Sequence, residues 1–215
     1  MMKETIVLRT MLTRRSVSQA IALGSAALVF GGFTPAHAQE PALNEMSLGR
    51  EDAPVTIIEY ASMTCPHCAE VHMEVLPKLK SDYIDTGKVR FVYRDFPLDG
   101  FALRAAAIAR CAGPERFFSF VDVIYRQQKV WSRAADPLKG LEQIARLGGM
   151  SADQVKACLE NITVQNYVVE SRVSGERQFK ISGTPTFVIN GKVHRGIETF
   201  EALKPIIDPL LSGKS

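Results

Sequence analysis

The sequence predicts an α/β fold, β-α-β followed by β-β-α, with an all-helical subdomain inserted between the two parts. Three observations predict it. Two β-branched apolar runs, at 55–60 and 89–94, flank a stretch with helical spacing. A helical pattern of about 80 residues comes next, too long for a loop in a compact domain. An Asn-Gly turn then separates two short strands ahead of a closing helix. The expected divisions are 1–38 as a removable leader, 39–96 and 179–215 as the two parts of the α/β domain, and 97–178 as the insertion.

Each element has its own signal. Residues 39–53 are polar, with Pro41 and Pro54 near the ends, and read as a lead-in. Val55 to Tyr60 is a buried strand, and Ser62-Met63-Thr64 is a turn. The helix from about Cys65 to Asp82 places Val71, Val75, Leu76 and Leu79 at helical spacing. Gly87 punctuates, and Val89 to Arg94 alternates as a second strand. Helices are expected at Phe101–Ala112, at Phe117–Gln128, and around Leu138 to Leu147, where Gly148-Gly149 ends the last of them. Ser151 caps a short helix through Leu159, and another runs from about Thr163 to Phe179. Pro185 to Ile189 and Lys192 to Arg195 form a hairpin about Asn190-Gly191, and Thr199 to Leu211 closes the chain as a helix.

The composition is globular: 215 residues, 46% hydrophobic and 23% charged, which excludes intrinsic disorder and collagen-like repeats. The formal charge of +3 resides wholly in 1–38, where Lys3, Arg9, Arg14 and Arg15 face only Glu4. The remainder is neutral, with no basic run interleaved with aromatics, so no nucleic-acid partner is expected. That leader has a basic zone, an apolar centre from Ala20 to Phe33, and small residues at Ala36-His37-Ala38. This is the order of a secretory signal peptide, and the apolar run falls short of the ~20 residues of a spanning helix. Arg14-Arg15 suits the twin-arginine route, although Val17-Ser18-Gln19 departs from the residues that usually follow the pair, so both export routes stay open. Met11 could also serve as the start, with the same outcome.

Export lets the four cysteines be read as oxidisable: Cys65, Cys68, Cys111 and Cys158 all lie beyond the leader. Cys65-Pro66-His67-Cys68 opens the first helix. There the first sulfur faces unpaired backbone N–H groups and the positive end of the helix dipole. Pro66 is preorganised for the first helical turn. His67 can add positive charge or a donor beside the sulfur. These factors favour a thiolate, and so make the disulfide the stronger oxidant. Cys65 is expected to be the exposed nucleophile and Cys68 the buried resolving thiol. A metal site from Cys65, Cys68 and His72 is the rival reading, weakened by the lack of a second C-x-x-C or paired His. Covalent haem is disfavoured because Ala69 follows Cys68. His72 and His194 are expected at the surface, and Trp131 in packing.

The segment Glu59-Tyr-Ala-Ser-Met-Thr-Cys65-Pro66-His67-Cys68, with its preceding apolar strand, resembles the active-site segment of DsbA-like thiol:disulfide oxidoreductases. These are exported proteins of thioredoxin-like fold with a helical insertion, and the resemblance covers about 46–212. It implies a redox-active Cys65–Cys68 disulfide with no further cofactor and no metal. It also implies a cis-proline loop at Gly183-Thr184-Pro185-Thr186-Phe187, with Thr184 and Pro185 meeting the substrate, and a proton-transfer role for Glu59 at the resolving cysteine. An acid inside an apolar strand suits that role; an exposed strand end is the alternative. Thr184 stands where the best-known oxidases carry Val and resembles isomerase-like members.

The expected activity is a periplasmic dithiol oxidase acting on reduced exported proteins as a monomer, reoxidised by a quinone-linked disulfide generator in the membrane. A reductase or isomerase on the same scaffold, and a non-enzymatic metal carrier, are the alternatives. Cys111 and Cys158 lie on apolar helix faces without activating neighbours, and a structural disulfide between them is the preferred reading over two free buried thiols.

Overall fold

The computed structural model describes residues 40–213; the leader expected at 1–38 lies outside them. Strands β1 (Met46–Leu48), β2 (Val55–Ala61), β3 (Val89–Asp95), β4 (Thr186–Ile189) and β5 (Lys192–Arg195) form one mixed sheet in the order β1-β3-β2-β4-β5. Only the β2–β3 pair is parallel, and a parallel pair needs a crossover, which the first helix supplies. β2 therefore lies in the middle of the sheet. Its Glu59 is in register with Tyr93 of β3 and Phe187 of β4.

The crossover is helical throughout 66–84, but not uniformly α-helical. It consists of α1 (Pro66–Glu70), a π turn at Val71–Val75, α2 (Leu76–Leu79) and a second π turn at Lys80–Ile84. Pro77 has no N–H to return to Met73, four residues back, so the ladder changes register around it. The N–H of Leu76 accordingly bonds to the carbonyl of Val71, five residues back. The adjacent residues Val71 and His72 are both buried in that widened turn.

The insertion runs from β3 to β4 as α3 (Gly100–Cys111), α4 (Phe117–Arg126), α5 (Gln128–Trp131), α6 (Pro137–Leu147), α7 (Ala152–Glu160) and α8 (Ile162–Phe179), and α9 (Phe200–Leu211) closes the fold. Caps set its boundaries: Asp99 for α3, Asp136 for α6, a Ser151–Gln154 capping box for α7 and Asn161 for α8. Trp131 is buried and donates its ring N–H to the Ile124 carbonyl. Gly175 lets α8 cross β2 closely, since a Cβ there would lie 2.5 Å from the Tyr60 ring. Among the described residues no helix is long and apolar enough to cross a membrane.

Two expectations are corrected. The segment 39–53 is more than a lead-in: β1 pairs antiparallel with β3, and Ala42 is fully buried. Arg110 makes this possible. Its buried guanidinium meets Asp95 at 2.6 Å and also donates to the carbonyls of Ala42 and Asn44. The helix expected over Phe117–Gln128 also breaks at Gln127, and Gln128 instead opens α5.

Cys111, the last residue of α3, is bonded to Cys158 of α7, 47 residues along the chain. Closing a loop of that size stabilises a fold by about 4 kcal/mol in the chain-entropy model. Replacing both cysteines by Ser is expected to lower the unfolding free energy by about 2–4 kcal/mol. Urea titration checks this, and coincident midpoints would show that the bridge contributes nothing.

Candidate active site

The turn 62–65 is held by bonds from three directions. The Cys65 N–H bonds to the Ser62 carbonyl at 3.1 Å, closing the turn before α1. The side-chain amide of Gln128 donates to the carbonyls of Met63 and Cys65, each at 2.9 Å. Thr64 donates to Asp99 at 2.6 Å, and Asp99 in turn caps α3. Cys65 is left in extended conformation as the N-cap of α1, with Pro66 at the first helical position. Across from it the Thr184–Pro185 peptide bond is cis, and Cys65 Sγ lies 3.3 Å from the Thr184 carbonyl, to which it donates as the thiol and not as the thiolate.

These contacts pull the two sulfurs apart in acidity. Hydrogen bonding from Cys68 lowers Cys65 most; burial opposes it; the Thr184 hydroxyl and the backbone N–H groups of Cys68 and His67 lower it further, to about 5. The buried Thr184 hydroxyl makes no hydrogen bond of full geometry among the described residues, which leaves its proton free to turn toward that sulfur. Cys68 is pushed well above the ordinary thiol range, first by burial, then by its bond to Cys65 and by the nearby Glu59 and Cys65 charges. One sulfur is thus held as a thiolate while its neighbour keeps its proton, the arrangement that thiol–disulfide exchange requires of an attacking and a resolving pair.

Three expectations change here. Cys65 is not broadly exposed; it is 6% accessible, with Cys68 fully buried behind it. The His67 imidazole does not lean over the sulfur: its Nδ1 lies 3.4 Å from both Glu70 and Glu198, and its backbone N–H serves Cys65 instead. His72 is not at the surface. It is buried, with Nε2 at 3.1 Å from Glu59 Oε2, while His194 is half-buried on β5. Since His72 faces Glu59, it does not complete a metal site with the two cysteines. Among the described residues no group of three or more His, Cys, Asp or Glu is placed to hold a metal ion.

Glu59 is buried within the strand, not at an exposed end, because β2 has a neighbour on each side. Around it His72 stacks on Tyr125 with ring centroids 4.5 Å apart, and the hydroxyls of Tyr125 and Tyr93 lie 3.1 Å from each other. Sequence reasoning missed both His72 and Gln128. His72 had a signal, since residues 68, 72, 75 and 79 repeat at helical spacing on one buried face. Gln128 had none, because a glutamine 63 residues from Cys65 is placed only by the insertion's path.

A β-α-β … β-β-α sheet with a C-x-x-C at the crossover helix and a cis-proline loop opposite defines the class of thioredoxin-fold dithiol proteins. The family model described as Thioredoxin matches residues 42–209. A relative in Rickettsia bellii, named provisionally as a protein-disulfide oxidoreductase, is 37% identical over 149 residues, which is 69% of this chain; the chain spans 58% of that relative's length. Disulfide bond formation protein D of Bacillus subtilis is 27% identical over 177 residues, covering 78% of this chain and 77% of that protein. The crystal structure of Wolbachia pipientis alpha-DsbA1 superimposes with a TM-score of 0.73 at 31% identity, over 81% of this chain and 94% of that one. The chain belongs to the thioredoxin family and, within it, to the DsbA-like thiol:disulfide oxidoreductases.

Two outcomes follow from the geometry. Because the folded Cys65 value is depressed to about 5, its thiolate stabilises the reduced protein above the unfolded thiol value, about 8.5, and that stabilisation fades as pH falls toward 5. Cys68, shifted upward, subtracts stability only above about pH 8.5, where the unfolded chain would ionise it. The urea midpoint of the reduced protein is therefore expected to rise relative to the oxidised protein from about pH 5 to about pH 8.5; a flat difference would show that Cys65 is not held as a thiolate. Gln128→Leu is expected to cost about 2 kcal/mol of stability, since it strands two buried carbonyls. Loss of less than a few tenths in a denaturant titration would mean that water replaces the amide.

Proposed function

We propose that this protein is an exported dithiol oxidase that introduces disulfides into other exported proteins by exchange at Cys65–Cys68. One observation carries the reading: Cys65 caps the start of α1 opposite the cis Thr184–Pro185 bond, with Cys68 fully buried behind it, a geometry that lowers Cys65 to about 5 and raises Cys68. A stabilised thiolate is a good leaving group and favours the reduced form, so the corresponding disulfide takes electrons readily.

A client thiolate attacks Cys65 Sγ, the Cys65–Cys68 bond breaks, and its electron pair goes to Cys68 Sγ, which takes a proton. A second client thiolate then attacks the client sulfur of the mixed disulfide, and Cys65 leaves as a thiolate. Two electrons have passed from client to protein. Pro66 and His67 shape the helix start that faces the sulfur, Glu59 supports the proton at Cys68, and the Thr184–Pro185 loop meets the client beside Cys65. The basic and apolar zones of 1–38 support export to the periplasm by either route. A quinone-linked membrane protein would return Cys65–Cys68 to the disulfide, and the protein would act as a monomer.

The test is the equilibrium with glutathione together with oxidation of a reduced client, such as reduced ribonuclease. A potential near about −120 mV is expected, with client oxidation lost in Cys65→Ser and client mixed disulfides accumulating in Cys68→Ser. A potential near about −270 mV, as in thioredoxin, would make the protein a reductase and refute the oxidase reading.

A further inference from the structure

Glu59 is a carboxylic acid with no exposure, in the central strand of a sheet, and only one of its oxygens is partnered. Oε2 meets His72 Nε2 at 3.1 Å; Oε1 is buried with no hydrogen-bond partner among the described residues. His72 is equally confined, its side chain 3% exposed. Its ring lies against Tyr125 at 4.5 Å and meets the edges of Tyr93 at 5.5 Å and Phe91 at 6.5 Å, which together hold the ring in place. A bare carboxylate sealed in such surroundings costs several kcal/mol, whereas a carboxyl–imidazole pair that holds one proton is neutral overall. Whichever of the two atoms carries it, that proton sits in the hydrogen bond between them.

Cys68 is the titratable group that this pair adjoins along the helix, one turn before His72 on the same buried face. The other ionisable groups facing the cluster come from every element packed around it. Cys65 lies at the start of α1. Tyr93 comes from β3 and Tyr125 from α4, bonded to each other. Asp95, at the end of β3, is neutralised by Arg110 of α3 at 2.6 Å. Of these, Asp95 is tied to a guanidinium that does not give up its proton, whereas Glu59 is tied to an imidazole that can.

We propose that His72 is a positioning residue that keeps one exchangeable proton on the Glu59–His72 pair, which Cys68 takes up when its disulfide opens and gives back when it closes. The inference rests on the Cys65–Cys68 exchange proposed above and names the group through which Glu59 acts. On opening, the electron pair of the broken bond resides on Cys68 Sγ, the proton moves from the pair to that sulfur, and the pair is left as carboxylate and neutral imidazole until closure returns the proton. On closing, the Cys68 thiol passes its proton to the pair, its sulfur attacks Cys65 in the mixed disulfide, and the other sulfur departs as a thiolate. His72 never touches the reacting sulfur; it keeps Glu59 in place and shares its proton.

Rapid quenching of the reduced protein mixed with oxidised glutathione tests this. The first step, mixed-disulfide formation at Cys65, depends on glutathione concentration; the second, closure by Cys68, does not. His72→Gln keeps a donor for Glu59 but cannot carry the proton. It is expected to slow closure at least about tenfold near pH 7, with the gap narrowing as pH rises and hydroxide takes over. The first step is expected to keep its rate, whereas a merely structural role would slow both alike. If near-ultraviolet circular dichroism shows that His72→Gln has lost its fold, Glu59→Gln carries the same test with the same expected split. Closure at the wild-type rate and pH profile in the folded variant overturns the proposal. A wild-type protein that forms no mixed disulfide at Cys65, or never closes it, refutes the exchange reading itself and the proposal with it.

Discussion

The arrangement depends on the convergence of hydrogen-bond donors on one sulfur atom. The Cys68 thiol, the Thr184 hydroxyl and the N–H groups of His67 and Cys68 all act on Cys65 Sγ, against the opposing effect of burial. The Cys68 bond outweighs the cost of burying the sulfur, and the other donors lower it further. The donors must also stay in place, so the surroundings of the turn are rigid. Gln128 holds two of its carbonyls, Asp99 ties Thr64 to the start of α3, and the β4 loop faces it from across the sheet. The helical insertion thereby takes part in the site: two of these three restraints come from its elements.

Behind the sulfur pair, the fold accepts a cluster of buried polar groups that a purely apolar core would avoid. Glu59 bonds to His72, Tyr93 to Tyr125 and Asp95 to Arg110, and the His72 ring packs on Tyr125, while one oxygen of each of the two carboxyls has no partner among the described residues. Such networks rigidify a core when their members are paired and weaken it when one is missing. Arg110 has a second use, since it gathers the carbonyls preceding β1 and so draws the first described residues onto the domain. The central place of β2 thus buries Glu59, and the crossover helix supplies His72 as its partner.

Much of the molecule was legible in sequence, because its signals are local. The order of strands and helices follows from periodicity and caps, the 65–68 motif and its helix follow from spacing within a few residues, and the Thr184–Pro185 loop follows from the resemblance to DsbA-like proteins. The Cys111–Cys158 pair was legible too, since both residues sit on apolar faces of one helical block. β1 escaped notice because three residues in a polar stretch carry too little pattern, and only β3 and Arg110 give them a place.

What the tertiary structure alone decided are the distances between segments far apart in sequence. That His67 would turn toward Glu198, that His72 would face inward to Glu59, and that Gln128 would hold Cys65 depend on how β2, the crossover helix and the insertion pack. The physical reason is that acidity and pairing are set by burial and neighbours within a few ångströms. The sequence by itself determined which two sulfurs form the pair and where the helix starts. It also named Cys65 as the sulfur that ionises; the packing decided which groups surround that sulfur and which buried acid–base pair lies beside the other.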